Sequence, residues 1–490
     1  MDHFLRGAQV VLHDFWQYVF TGGMLIATIV ASCHAALTKR NVRGAIGWVG
    51  IIWLVPIVGV ALYALLGINR IKRRGTLLRS GQYRAEPRAL EREVPAEQLE
   101  KTLTAHNHHM RTLVELVGRV THRPLLAGNR IETLAGGDAA YPAMLAAIDA
   151  ATQSVSLMSY IFDNDRLGQR FVDALKGAVE RGVEVRVLVD AIGSRYSFPS
   201  IIGKLVRAGI RAERFLESLL PGYFAYANLR NHRKIMVVDG RIGFTGGLNI
   251  RAAEMLSLHT RSPIQDLHFR LTGPVVLQLQ EVFAEDWSFA TKEVLSGEQW
   301  FPPAKEAGTA LARGIRSGPD EDLGEISLVL AGALSCAHSS VALLTPYFLP
   351  DETLMSALNV AAMRGVQVDI ILPSKNNLAL VQWASTASLP ELLEHGCRVW
   401  LSPPPFDHTK LLLVDNLWSL VGSSNWDPRS LRLNFEFNVE CYDRDLAKSL
   451  GEMVAHKRSV ARQLSPVDIN GRALPLRLRD GIARLLSPYL

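Results

Sequence analysis

His232, Lys234, Asp239 and Asn249 form a pattern that returns, with the same spacing, as His408, Lys410, Asp415 and Asn425. The first copy reads His232-Arg-Lys234, four residues, Asp239, six residues, then Gly246-Gly247-Leu-Asn249. The second reads His408-Thr-Lys410, four residues, Asp415, six residues, then Gly422-Ser423-Ser-Asn425. One His-x-Lys carries little information. Two copies, each spread over 18 residues and set 176 residues apart, are a duplicated chemical site.

Residues i and i+2 of an extended chain share a face, so each His points the same way as its Lys. The apolar runs that follow, Ile235 to Val238 and Leu411 to Val414, read as buried strands. The Gly246-Gly247 and Gly422-Ser423 pairs let the backbone approach closely and carry Asn249 and Asn425 back beside the His-Lys pair. Two His, two Lys and two Asn then make one compact, donor-rich cationic site. That suits a phosphodiester. Lys234, Lys410, Asn249 and Asn425 bind the non-bridging oxygens, one His attacks phosphorus, and the other protonates the leaving oxygen. A nucleophilic imidazole needs its other nitrogen held by a carboxylate or carbonyl; Asp266 and Glu436, similarly placed downstream, are the candidates for orienting the histidines. Asp239 and Asp415 fit either a direct catalytic role or strand-end salt bridging. No carboxylate cluster of the Mg²⁺ type adjoins either motif, so the residues themselves call for no metal and no cofactor.

Each motif ends its own copy of a larger repeat. Residues 154–190 and 340–373 both read as an apolar strand ending near an aromatic (Tyr160, Tyr347), an amphipathic helix stopped by Arg-Gly, and a β-branched strand. Strand, helix, glycine cap and strand make a βαβ unit with a parallel sheet. A further helix and strand follow in each copy, around 205–215 and 392–401.

The N-terminus differs in kind. Phe15–Thr38 and 45–67 carry no Asp, Glu, Lys or Arg, and each exceeds the ~20 residues that a membrane-crossing helix needs. Trp16, Tyr18, Trp48, Trp53 and Tyr63 match interfacial aromatics. Three basic residues lie between the two stretches and five lie at 70–79, which places the catalytic part on the cytoplasmic face. The chain's net charge of +6 is concentrated here. Residues 1–80 carry +7 and the other 410 sum to −1, unlike a protein built to coat nucleic acid. Cys33, Cys336, Cys397 and Cys441 form no CxxC pair and read as reduced, structural thiols. Residues 71–125, charged and broken by Pro87 and Pro95, read as a linker with a helical piece, in which His106, His108 and His109 sit on an exposed helix or loop. Residues 219–227 fit an apolar lid or a buried turn; 476–486 fit a helix packed on the catalytic part better than an interfacial anchor.

The doubled HxKxxxxD with GGxN and GSxN resembles the phospholipase D superfamily. The N-terminal hairpin, "SYIFDND", "GVEVRVLVDAIGS", "GSSNWDPRSLRLNFE" and "ARLLSPYL" resemble bacterial cardiolipin synthases over nearly the whole chain, 76–125 least. The resemblance implies an α/β fold: two tandem phospholipase D-like domains (126–305 and 320–490) forming one pseudo-two-fold active site, behind a transmembrane hairpin (1–70) and a linker (71–125). It implies a multi-pass protein of the bacterial inner membrane whose partners are phosphatidylglycerol and the bilayer, with no nucleic acid. The implied reaction transfers a phosphatidyl group from one phosphatidylglycerol to another through a phosphohistidine, releasing glycerol. Superfamily precedent makes His232 the nucleophile and His408 the general acid, then base; the symmetry of the sequence does not decide between them. A membrane phospholipase D hydrolase, another phosphatidyltransferase of the same superfamily and a nucleic-acid phosphodiesterase are the competing classes. No oligomeric state is implied.

Overall fold

The computed structural model describes residues 2–39, 42–67, 94–216, 229–319 and 324–487. It comprises two compact units, Met1–Arg74 and Gly75–Leu490.

In the first unit, α1 (Asp2–Thr38) is followed by α2 (Val42–Leu54) and α3 (Pro56–Leu62). Phe15–Thr38 is long and apolar enough to cross a bilayer. The second expected span, 45–67, is not one helix. Pro56 has no N–H to give the preceding turn and restricts the residue before it, and Val55 leaves helical geometry (φ −137°, ψ 73°). Ala31 and Ala35 of α1 pack against Ile52 and Tyr63, and His34 Nδ1 meets the Tyr63 hydroxyl at 2.7 Å.

The second unit is built on one large sheet of two matching halves, with β8 and β14 paired in a small two-stranded sheet of their own. The first half contributes β1 (Leu126–Ala135), β2 (Ser154–Ser159), β3 (Glu184–Asp190), β4 (Arg211–Phe215), β5 (Arg230–Asn231), β6 (Ile235–Val238), β7 (Ile242–Gly246), β8 (Ile264–Gln265) and β9 (Leu267–Thr272). The second contributes β10 (Ala310–Ser317), β11 (Ser340–Leu344), β12 (Gln367–Pro373), β13 (Arg398–Ser402), β14 (Phe406–Asp407), β15 (Leu411–Val414), β16 (Trp418–Gly422), β17 (Asn434–Tyr442) and β18 (Arg462–Gln463). The order is β18-β13-β12-β11-β15-β16-β17-β10-β1-β9-β7-β6-β2-β3-β4. Read outward from the antiparallel β1–β10 pair, the two halves repeat strand for strand over seven strands, with β18 added at the edge of the second.

The βαβ units are present: β2, β3 and β4 run parallel, as do β11, β12 and β13. The rest of each half is antiparallel, so the sheet is mixed. β6 and β15 are wholly buried, as their apolar runs require. One apolar core underlies each half. β10 falls between the expected boundaries at 305 and 320; by its place in the sheet it opens the second half.

From Val94 on, the expected linker is part of the fold. The helix Arg111–Thr121 buries Leu113, Val117 and Thr121 against the second core, and buried Arg313 donates to the carbonyls of Val114 and Arg123. A short amphipathic helix buries through one stripe while keeping a charged average composition, so composition shows the helical piece but not its packing. His109 is not exposed either: its Nε2 lies 3.0 Å from Asp415 Oδ2, and its ring stacks on His338 at 3.7 Å. The helix Leu474–Leu485 packs on the catalytic part, burying Asp480 and Ala483, with the Arg479 guanidinium 4.4 Å above the Trp383 ring. The stretch 219–227 lies outside the described residues.

Candidate active site

His232 and His408 line one cavity of about 680 Å³, together with Asn249 and Asn425. The two motifs, 176 residues apart, therefore meet in one place. Each His-x-Lys lies just ahead of its buried strand, as an extended segment laid against the other half. β5 pairs with β17, Arg230 opposite Asn434 and Asn231 opposite Phe435, and His232 N–H donates to the Phe435 carbonyl. β14 pairs with β8 in the same manner, and His408 N–H donates to the Gln265 carbonyl.

This exchange decides which carboxylate meets which imidazole. Glu436, next along β17, lies 3.0 Å from His232 Nδ1. Asp266, between β8 and β9, lies 2.7 Å from His408 Nδ1. Each histidine is thus held by a carboxylate of the opposite half, and with Nδ1 engaged, Nε2 is the nitrogen left for chemistry. Gly247 makes room for this: a Cβ there would stand 2.2 Å from both Asp266 oxygens.

The lysines lie behind the histidines. Lys234 Nζ donates to the His232 carbonyl at 2.7 Å; Lys410 Nζ donates to the His408 carbonyl and sits 2.7 Å from His408 Nδ1. Neither is among the residues lining the cavity. Asn249 is clamped by Glu254, which accepts from its backbone N–H at 2.9 Å and its side-chain amide at 3.2 Å. Asn425 donates to Ser430 Oγ at 3.2 Å. Glu254 and Ser430 each stand five residues past their Asn. That shared offset was the available signal for Glu254, but Glu and Ser differ too much in type to draw notice.

Asp239 and Asp415 are not brought to the cavity. Each occupies the turn beyond its buried strand with φ 51°. Asp239 accepts the backbone N–H groups of Thr152, Gln153 and Ser154, and Asp415 accepts those of His338, Ser339 and Ser340. Of the two roles left open by the sequence, this placement serves the strand-end one: both carboxylates pin the start of a central strand, and neither lines the cavity. The residue between His232 and Lys234 is structural as well. Arg233, fully buried, pairs with Asp286 at 2.7 Å and donates to the Glu436 and Ser317 carbonyls across the halves.

Burial governs the electrostatics. It pushes the His408 imidazole down to about 3, with Lys410 adding to the effect and Asp266 opposing it. His232 is lowered for the same first reason, with Glu436 opposing. The Lys234 ammonium falls to about 7, again through burial first. Burial alone would raise both carboxylates. Lys410 and His408 outweigh it at Asp266, and His232 and Lys234 do so at Glu436, so both stay below the usual carboxylate range. Glu254 is pushed up to about 8 by burial and then by Asp266. Two neutral imidazoles over two hidden lysines await an anion, whose charge would favour protonation of both residue types. Among the described residues no group of three or more His, Cys, Asp or Glu is placed to hold a metal ion.

Comparison with known proteins names the architecture. Residues 144–287 and 330–457 match the family described as "Cardiolipin synthase, PLD-like domain", and 26–67 match "Phospholipase_D-nuclease N-terminal". The chain belongs to this cardiolipin synthase family. A cardiolipin synthase A of Pseudomonas aeruginosa is 34% identical over 468 residues, 96% of this chain and 95% of the relative. A cardiolipin synthase A of Pseudomonas putida is 33% identical over 485 residues, 97% of this chain and all of the relative. The crystal structure of a phosphatidylserine synthase from Haemophilus influenzae shares the fold, with a TM-score of 0.60 at 14% identity over 77% of this chain and all of that one. The family match at 26–67 and the apolar helix Phe15–Thr38 make this cardiolipin synthase family member a membrane-associated protein.

Proposed function

We propose that the protein makes cardiolipin from two phosphatidylglycerol molecules. The observation that carries this is the crossed pairing in one cavity, His232 with Glu436 and His408 with Asp266. The donor phosphodiester binds between the two Nε2 atoms, its oxygens facing Asn249 and Asn425, with Lys234 and Lys410 supplying positive charge from behind. His232 Nε2 attacks phosphorus while the bond to the head-group glycerol breaks, and protonated His408 gives that oxygen its proton. Neutral His408 then takes the proton from a terminal hydroxyl of the second phosphatidylglycerol. The hydroxyl oxygen bonds to phosphorus and the P–N bond to His232 breaks. Asp266 and Glu436 orient the imidazoles and stabilise their positive charge. The assignment of His232 as nucleophile rests on family precedent.

We further read α1 and the broken pair α2–α3 as an anchor crossing the inner membrane twice, with the catalytic unit (domain halves near 126–305 and 310–490) in the cytoplasm. The five basic residues at 70–79, against three in the loop between the spans, support that sidedness.

The test is direct. Purified protein given phosphatidylglycerol alone should yield cardiolipin and glycerol in equal amounts, with phosphatidic acid minor. Phosphatidic acid as the main product, without incorporation of labelled glycerol into phosphatidylglycerol, would make the protein a hydrolase.

A further inference from the structure

The helix Leu474–Leu485 packs through one face only. That face carries Ala483, clustered with Leu349, Val381 and Ala384, and Asp480, held by Arg472 and Arg479. The other carries Leu474, Leu478, Ile482 and Leu485, all between 57% and 76% exposed. The spacing i, i+4, i+8, i+11 stays on one side of a helix, so the four form a straight apolar stripe about 17 Å long. Arg477 and Arg484, also exposed, run along one edge of it.

A stripe of this kind on a folded unit marks an interaction surface, and its place in the fold says with what. The packed face lies against the helix Ala379–Thr386, whose start is a wall of the catalytic cavity. Leu378 and Leu380 line that cavity and are also exposed. A side chain that lines the cavity and meets solvent stands at its mouth. The first half does the same. Tyr196 lines the cavity and is exposed, and Phe198, two residues on, is 99% exposed. Their loop is held in place: Asn164 donates from its backbone to Ser197 Oγ and from its side chain to the Pro199 carbonyl, both at 2.9 Å.

We propose that the apolar rim of the cavity and the stripe beside it are the face by which the catalytic unit docks on an anionic bilayer. The helix Leu474–Leu485 lies in the headgroup region, its four apolar side chains reaching the acyl boundary and Arg477 and Arg484 meeting the lipid phosphates. Three observations favour lipid over a second copy of the chain. The protein is membrane-associated. Positive charge edges the stripe, complementary to an anionic lipid surface. Apolar side chains of both halves stand at the mouth itself, so a lipid can bring its phosphodiester to the histidines while its chains stay in apolar surroundings. The proposal rests on the lipid-substrate part of the reading above and is indifferent to which acceptor takes the phosphatidyl group.

The experiment reads access rather than activity. Full-length protein carrying Cys33→Ser and Cys336→Ser, the two cysteines that are not buried, is placed in phosphatidylglycerol nanodiscs at one copy per disc. Leu478→Cys, Ile482→Cys or Ala455→Cys then supplies a single reactive thiol. All three positions are exposed in the protein itself, so a water-soluble maleimide should label them alike if nothing covers them. Docking predicts labelling at positions 478 and 482 slower by about ten-fold or more, while position 455, on the helix Arg444–Val460, stays fast. Equal rates at the three positions would overturn the proposal. Protection that appears only with two copies per disc would assign the stripe to a second chain and overturn it as well. In the same discs, Leu478→Gln combined with Ile482→Gln should slow turnover by about five-fold or more. The pair should leave short-chain phosphatidylglycerol, offered below its micelle concentration, turning over as before. Loss on both substrates, or on neither, would count against docking. Protected positions 478 and 482 in discs where no cardiolipin forms would leave docking standing and refute the transferase reading alone.

Discussion

Glu436 Oε2 lies 3.0 Å from His232 Nδ1, although 204 residues separate them and they belong to opposite halves of the sheet. Asp266 and His408 mirror the contact at 2.7 Å. Neither half can therefore complete an active site alone: each supplies a histidine and the carboxylate for the other half's histidine.

Replacing one of these carboxylates by its amide keeps the shape and removes the charge. Glu436→Gln and Asp266→Asn should each lower the maximal rate by about a hundred-fold or more, as loss of an imidazolium-orienting carboxylate does elsewhere. A positioning role predicts a changed pH–rate profile with little change in KM. Rates measured from pH 6 to 9 distinguish this from general damage, which would scale the whole profile.

The aspartates that close each motif should behave differently. Asp239 and Asp415 accept three backbone N–H groups apiece and lie off the cavity. Asp239→Ala strands those donors, at a cost of about 1–3 kcal/mol. The melting temperature should fall while the protein still folded keeps turning over near the wild-type rate. A stable Asp239→Ala protein without activity would restore the catalytic role that its sequence position suggests.

Much of this arrangement is legible in the sequence. Identical spacing fixes the two motifs, and the apolar runs after Lys234 and Lys410 fix the strands that carry them. Asp266 and Glu436 can be picked out because a nucleophilic imidazole needs an orienting partner. Their crossing cannot: it depends on β5 reaching β17 and β14 reaching β8, pairings of two residues each that leave no periodic signal. The tight turn at Asp239 was hidden for another reason, since an aspartate next to catalytic residues looks catalytic until its backbone partners are seen. The packing of the helix Arg111–Thr121 is masked by its charged average composition, and a proline that lipid tolerates does not by itself mark the break at Val55.

Stability should depend on pH with a sign set by two buried groups. His408 titrates near 3 in the folded protein, below the ~6.5 of an unfolded chain. The unfolded state binds more protons between these values, so this contribution is full above about pH 6.5 and is lost as pH falls. Glu254 runs the other way. Its folded value is about 8, against an ordinary 4.5, so its contribution is full below that ordinary value and is lost as pH rises towards 8. Between pH 6.5 and 4.5, His408→Gln should lose about 2 kcal/mol less stability than wild type. Between pH 6 and 8.5, Glu254→Gln should hold its melting temperature better than wild type. Parallel melting curves for wild type and either variant would refute the corresponding assignment.

The last prediction turns on a single methyl group. Gly247 stands where a Cβ would lie 2.2 Å from both oxygens of Asp266, and the same position in the second motif is Ser423. Ser423 Oγ accepts from Phe437 N–H at 3.0 Å, so the second half accommodates a side chain that the first does not. Gly247→Ala must push Asp266 aside, and the 2.7 Å contact to His408 goes with it. The protein should lose activity by about the same factor as Asp266→Asn, roughly a hundred-fold. Combining the two changes should cost little beyond either one, because residues acting on one interaction are not additive. Ser423→Ala, which deletes the hydroxyl's bonds with the N–H and carbonyl of Phe437, about 1 kcal/mol each, should cost turnover less than Gly247→Ala does. Fully active Gly247→Ala protein would mean that Asp266 can move without consequence, and that His408 does not depend on it.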